Sequence, residues 1–122
     1  MPTVLIVDDD KAFRKQLHTL FELGSGFETC LEAKKGVEAQ KKAKRLLFSL
    51  VILNSSLPDM SGLELALKLR AIRPELPIFM LATDYGVKVE KKALSCGITA
   101  VFSKLADLDT LVANARAACG IE

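Results

Sequence analysis

Tryptophan is absent from this 122-residue chain, tyrosine and histidine occur once each, and the three cysteines (Cys30, Cys96, Cys119) stand far apart. Cysteines so spaced form no metal-ligand pair, and their odd number leaves one over in any disulfide scheme. They read as reduced, buried side chains of a cytosolic protein. Half of the residues are hydrophobic, yet no apolar run approaches the roughly 20 residues that a membrane-spanning helix needs. The opening MPTVLIVDDD has no basic segment and leads straight into acid, which is not the pattern of a secretory signal. Charge of one sign is scarce too: a net +2 gives nucleic-acid binding no footing by itself. At this length one domain with a sizeable core is expected, covering residues 1–122.

What the chain does contain is a dense block, Leu50–Gly62, reading LVILNSSLPDMSG. Leu50 to Leu53 are apolar, too few for a helix and of the kind a buried strand uses. The run stops at Asn54, and a polar loop with Ser55, Ser56, Pro58 and Asp59 follows. Ser61, with Glu64 three positions on, then makes a capping box that starts a helix. A buried strand, a polar residue at its carboxyl end and a freshly capped helix describe the working edge of an open α/β sheet. Asn54 is expected at its centre.

The rest of the chain repeats that alternation. Val4–Val7 is a continuous apolar strand ending on Asp8, Asp9 and Asp10. Asp10 caps a helix with a buried stripe of Phe13, Leu17, Leu20 and Phe21, and Gly24 and Gly26 end it. Phe27–Leu31 reads as a second strand, and Gly36 to Leu47 as a helix with Ala39, Ala43 and Leu46 inward. After the central strand, Leu65, Leu69 and Ile72 mark the next buried helix face. Pro74 and Pro77 bracket a turn before the strand Ile78–Leu81. Val89, Ala93 and Cys96 form another helix face closed by Gly97; Ala100–Phe102 is the fifth strand; Leu108, Leu111, Val112 and Ala115 face inward from the last helix. Five βα units with short connections predict an α/β fold, a doubly wound parallel sheet with helices on both faces.

The carboxyl ends of these strands carry the chemistry. Strand one supplies Asp8 and Asp9, strand three Asn54, strand four Ala82, Thr83 and Asp84, and strand five Lys104. In the order 2-1-3-4-5, strands one and three are neighbours at the switch point, so the acids lie beside Asn54 with the lysine opposite. Adjacent carboxylates suit Mg²⁺, which takes few protein ligands and keeps several waters. A lysine across from a metal suits a phosphoryl group, whose oxygens draw positive charge from two sides.

With those residues in place, the chain resembles the receiver domains of two-component response regulators, which have a flavodoxin-like fold. VLIVDDD, Ala33 with Gly36-Val37-Glu38-Ala39, LVIL-x-x-x-LPDMSGLEL, PIFML and CGITAVFSK fall in family order and spacing over essentially the whole chain. The resemblance implies phosphoryl transfer from a histidine kinase to an aspartate at the end of strand three. It also matches Asp8 and Asp9 to the family's metal-binding acids and Lys104 to its phosphate-facing lysine.

The same resemblance exposes departures. The phosphoacceptor position is Asn54, whose carboxamide is a poor nucleophile and yields no acyl phosphate. The hydroxyl-bearing switch position is Ala82; Thr83 follows one place late and should face the other way. The switch aromatic is Val101, and Leu105 replaces the proline after the lysine, so a trans Lys104–Leu105 bond is expected. These departures predict an atypical pseudo-receiver that keeps the fold, performs no enzymatic step and signals by protein–protein interaction.

Competing roles for the same residues lead to further expectations. Lys104 can simply bridge an acid, and without a third carboxylate Mg²⁺ binding at Asp8 and Asp9 should be weak. His18 is expected at the rim, not as a phosphorelay histidine, and Asp59 on a surface turn. The resemblance implies a partner surface on the face of helix four, strand five and helix five, where Val87, Leu94 and Val101 are expected exposed or half-exposed beside Lys88, Lys91 and Lys92. The partner is a kinase, an effector or a second receiver, and a homodimer is one form of the last. Two alternatives remain. One is a Mg²⁺-dependent phosphoacceptor using another residue, such as Ser55 or Ser56. The other is a binder of an acidic ligand or nucleic acid through the basic second helix (Lys34, Lys35, Lys41, Lys42, Lys44, Arg45).

Overall fold

The computed structural model describes residues 2–121 of the chain. Strands and helices alternate strictly: β1 Thr3–Val7, α1 Lys11–Glu22, β2 Thr29–Ala33, α2 Gly36–Arg45, β3 Leu50–Asn54, α3 Gly62–Ile72, β4 Ile78–Ala82, α4 Val87–Ser95, β5 Ala100–Ser103 and α5 Leu108–Ala118. The strands form one parallel sheet, as the alternation predicts, in the order β2-β1-β3-β4-β5 taken above for a doubly wound sheet. Val7 lies opposite Leu53, and Asn54 opposite Leu81, so the ends of β1, β3 and β4 finish at one level.

Alternate residues of each strand feed two cores, one on each face. Leu5, Val7, Val51, Leu53, Ile78, Met80 and Val101 pack with α2, α3 and α4 through Ala39, Ala43, Leu65, Leu69 and Ala93. Val4, Ile6, Leu50, Ile52, Phe79 and Leu81 pack with α1 and α5 through Leu17, Phe21, Leu111 and Ala115. The central strands β1 and β3 are covered on both faces, which is why they read as unbroken apolar runs.

Three expectations shift. Strand β2 begins at Thr29, two residues later than expected. Phe27 is apolar because its ring packs edge-on against Phe21, with centroids 5.1 Å apart, and the ladder with β1 starts only at Thr29 opposite Thr3. Helix α2 ends at Arg45, and Leu46 turns extended and is 46% exposed rather than inward. Val101 is a core residue at 8% exposure, so it forms no part of an exposed partner face: the parallel register sets it opposite Met80, under α4. Cys30 is buried, whereas Cys96 and Cys119 are half-buried. Burial, and secondarily Glu32, pushes the Cys30 thiol up to about 12. No peptide bond among the described residues is cis. No helix among them is long and apolar enough to cross a membrane.

Loop contacts join the units. Asp10 and Ser61 cap α1 and α3 as expected, accepting from Ala12 and Phe13 and from Glu64 respectively. The residue before α2 is Lys35, which cannot cap. The missing acceptor comes from the β3–α3 loop. Asp59, exposed on its turn, accepts the N–H of Gly36 through Oδ1 and that of Val37 through Oδ2, both at 2.9 Å. Arg70 ties down the α3–β4 loop: Nη1 donates to the carbonyls of Pro74 (2.8 Å) and Leu76 (2.6 Å), and Nη2 to that of Gly97 (2.6 Å).

Donation from Val37, then from Gly36, holds the Asp59 carboxyl below its ordinary value. A lowered carboxyl stabilises the fold above the unfolded value of about 4 and loses that contribution as pH falls through the folded value. Asp59→Ala is therefore expected to speed amide exchange at Gly36 and Val37 near neutral pH and to flatten the acid limb of the stability curve. Proton exchange by NMR and urea titrations at stepped pH check both.

Candidate functional site

The carboxyl edge of the sheet closes over a buried charge. Asp8 follows β1 directly and is 2% exposed. Its N–H donates to the Ala33 carbonyl at 3.0 Å, its Oδ1 accepts the N–H of Asp10 at 2.9 Å, and its carbonyl accepts from Arg14 Nη1 at 2.7 Å. Lys104, at the end of β5, brings its Nζ to 2.9 Å from Asp8 Oδ2. That oxygen makes an ion contact but has no hydrogen-bond partner among the described residues. The lysine is steered there by Phe13, whose ring lies 4.5 Å from Nζ, and by its own N–H, which donates to the Ala82 carbonyl at 2.9 Å.

Asn54 ends β3 at 9% exposure and donates from Nδ2 to the Ser56 carbonyl at 3.0 Å, folding the carboxamide onto its own loop. Gly62 is required beside it. A Cβ at that position would come within 2.5 Å of the Asn54 carbonyl oxygen and 3.0 Å of the Ser55 Cα. The N–H of Gly62 also donates to the Ser55 carbonyl, so α3 starts hard against the end of β3.

The expected site residues divide between pocket and surface. Asp8, Asn54 and Ala82 are buried at the carboxyl ends of β1, β3 and β4, and half-buried Lys104 joins Asp8 through its Nζ and Ala82 through its N–H, whereas Asp9 is exposed. Ala82 is fully buried; Thr83 is exposed and lines, with Ser55 and Ser56, a separate groove of about 510 Å³ over Met80. Val87, Lys88, Lys91 and Leu94 are exposed on α4, and Val101 beneath them is not. His18 sits at the rim, its ring nitrogens 2.6 Å from Glu22 and 2.8 Å from Glu32.

Arg14 and Glu32 were not read from the sequence as part of the site. Arg14 is buried, linking the Asp8 carbonyl to Glu32 Oε1 at 2.6 Å, and Lys15 reaches Glu32 Oε2 at 2.9 Å. Burial pushes the Glu32 carboxyl up, but hydrogen bonds from Lys15 and Arg14 outweigh it and the net shift is down. The signal was present: Arg14 shares the i, i+3, i+7 spacing with Leu17 and Phe21 and so faces the sheet.

The donors fit a resident Mg²⁺ poorly. Of the two carboxylates, the buried one is engaged by a backbone N–H and by the lysine, and Asn54 adds no negative charge. No three His, Cys, Asp or Glu side chains converge on one point among the described residues.

A parallel 2-1-3-4-5 sheet with an acid–lysine pocket at its carboxyl edge defines a flavodoxin-like receiver domain. The response regulator receiver domain model matches residues 4–116, and the chain belongs to that family. A putative transcriptional regulator of Pseudomonas aeruginosa is 32% identical over 117 residues, covering 96% of this chain and 56% of that protein. Chemotaxis protein CheY1 of Helicobacter pylori is 36% identical over 99 residues, 78% of each chain. The solved structure of Vibrio cholerae chemotaxis protein CheY4 matches with a TM-score of 0.86 at 29% identity, over 97% of this chain and 98% of that one. This chain spans 56% of the Pseudomonas relative and between 9% and 26% of several longer proteins that it also matches.

Two outcomes follow from the pocket. Gly62→Ala forces a Cβ into backbone and is expected to cost about 1–3 kcal/mol despite the better helix former, as measured by urea denaturation. Titration calorimetry with Mg²⁺ is expected to give a dissociation constant in the millimolar range or weaker for the native chain. Asn54→Asp is expected to tighten it.

Proposed function

We propose that this receiver domain signals by binding a protein partner in the cytoplasm, without phosphorylation of its own side chains and without a catalytic step. The observation that carries the reading is Asn54: a carboxamide stands at the end of β3, with its amide nitrogen committed to the Ser56 carbonyl. An attacking oxygen needs negative charge or a proton to lose, and a carboxamide has neither available. The surrounding groups agree. Ala82 offers no hydroxyl to a phosphoryl oxygen, and Lys104 is spent on Asp8 at 2.9 Å. Val101 has no ring to move between a buried and an exposed position. A ligand that meets the same contacts in two states shifts neither, so the pocket has little means of reporting a phosphate even if one arrived.

The partner surface of this reading is α4 with the turns flanking it. Val87 is 72% exposed, Leu94 is also exposed, and Lys88, Lys91 and Lys92 surround them. An apolar centre with a cationic rim suits a signalling protein of acidic complement, whether kinase, effector or second receiver.

Incubation with acetyl phosphate in Mg²⁺ buffer tests the reading by intact mass. The native chain is expected to stay unmodified. Asn54→Asp is expected to gain one phosphoryl group, as a carboxylate oxygen bonds to phosphorus and acetate departs. Amide shifts on α4 and α5 should hardly respond in that variant. A native chain that gains the phosphoryl mass and loses it to hydroxylamine would mean that another carboxylate accepts phosphate, and would overturn the proposal.

A further inference from the structure

The opposite edge of the sheet carries a surface that the pocket does not explain. Where α2 ends, Leu46, Leu47 and Phe48 follow one another; Leu47 is 77% exposed and only Phe48 turns inward. Beside them lies a groove of about 470 Å³ with an apolar floor of Phe48, Pro74, Leu76 and Pro77. Arg73 and Glu75 stand at its margin. The groove is pre-shaped, since Arg70 holds the carbonyls of Pro74 and Leu76 and thereby fixes the loop that forms one wall. The backbone bond from Val51 N–H to the Pro77 carbonyl at 3.0 Å anchors the other end of that loop to β3.

Charge decides what fits there. Of the six basic residues between 34 and 45, Lys34, Lys35 and Lys41 line a different groove with Glu38 and Lys42 pairs with Glu38, while Lys44 and Arg45 stand at the end of α2 next to Leu46. Lys44 and Arg45, next to Leu46, are exposed and make no ion pair among the described residues. Arg73 is half-buried at the groove's margin, with Nη1 donating to the Ile72 carbonyl at 3.2 Å. The carboxylates of an acidic partner would pair with Lys44 and Arg45.

We propose that this groove docks a segment of another protein in which large apolar side chains are interspersed with aspartate or glutamate. Leu47 and Phe48 form the apolar centre, and Lys44, Arg45 and Arg73 take the carboxylates. The surface lies a full strand length, about 16 Å, from the Asp8–Asn54 pocket. It therefore stays available whatever that pocket holds, and it stands independently of the reading given above.

The probe is a fluorescein-labelled peptide of leucine and phenylalanine spaced among glutamates, titrated into the full chain by anisotropy and by amide shifts. Binding is expected to move the amides of Leu47, Phe48, Ser49, Glu75 and Leu76, and to weaken as salt is raised. Leu47→Ser, on an exposed side chain, should weaken it about tenfold, as loss of a central anchor does. Leu23→Ser, equally exposed but on the far side of the fold, should leave it unchanged. Several results would overturn the proposal: no binding by the peptide, equal binding by polyglutamate, or indifference to Leu47→Ser. So would Leu47-dependent dimerisation in sedimentation, which would assign the groove to a second copy. Leu47-dependent binding to phosphatidylserine vesicles would assign it to a membrane surface instead.

Discussion

A carboxyl group with almost no contact with water, that of Asp8, sits at the end of the first strand, and much of the carboxyl edge is arranged around it. Moving a lone charge out of water costs several kcal/mol even after relaxation, so a buried charge calls for a partner. Lys104 answers it from β5 at 2.9 Å, across the whole width of β1, β3 and β4. The pair thus links strands that are not neighbours. Removing either partner would strand the other, at a cost of about 3–5 kcal/mol for a buried pair. Phe13 and the Ala82 carbonyl hold the lysine in place, so α1 and β4 also take part.

A second layer supports the first. Arg14 bonds the Asp8 carbonyl and carries the charge network outward to Glu32 on β2, where Lys15 and His18 complete it. A guanidinium suits this place because its fork of donors can serve a carbonyl and a carboxylate together and remains charged when buried. In a receiver whose third-strand residue is Asn54, this network leaves the pocket neutralised from within.

The two proposed docking surfaces are unequal. The α4 face offers isolated apolar side chains among lysines. The edge beyond α2 offers the consecutive apolar residues Leu46, Leu47 and Phe48 beside a groove held by Arg70, with Lys44 and Arg45 preceding them. Arg70 ties the loop of that groove to Gly97, just past the end of α4.

The sequence by itself determined the class of fold and which residues stand at the strand ends. Continuous apolar runs such as Leu50–Leu53 are too short for helices and read as strands covered on both faces, and they are followed by chemically distinctive residues (Asp8, Asn54, Ala82, Lys104) whose mutual placement the sheet order decides. Capping at Asp10 and Ser61 was equally plain, because those bonds span two or three residues. What spans tens of residues was not legible. Asp59 reads as a surface turn and is one, yet it caps a helix that begins 23 residues earlier. The spacing of Arg14 with Leu17 and Phe21 turns it toward the sheet, but only the sheet supplies Glu32 to meet it. Val101 looked available to a partner because a short strand between polar neighbours has no preferred face until it is paired; opposite Met80 and beneath α4 it is buried. Phe27 and Leu46 misled in opposite directions, since hydrophobicity alone does not say whether a side chain packs from a strand, packs from a turn or stays in solvent. Local pattern settles what is held by neighbours in sequence, and only the packed structure settles charges and loops whose partners are brought to them from elsewhere in the chain.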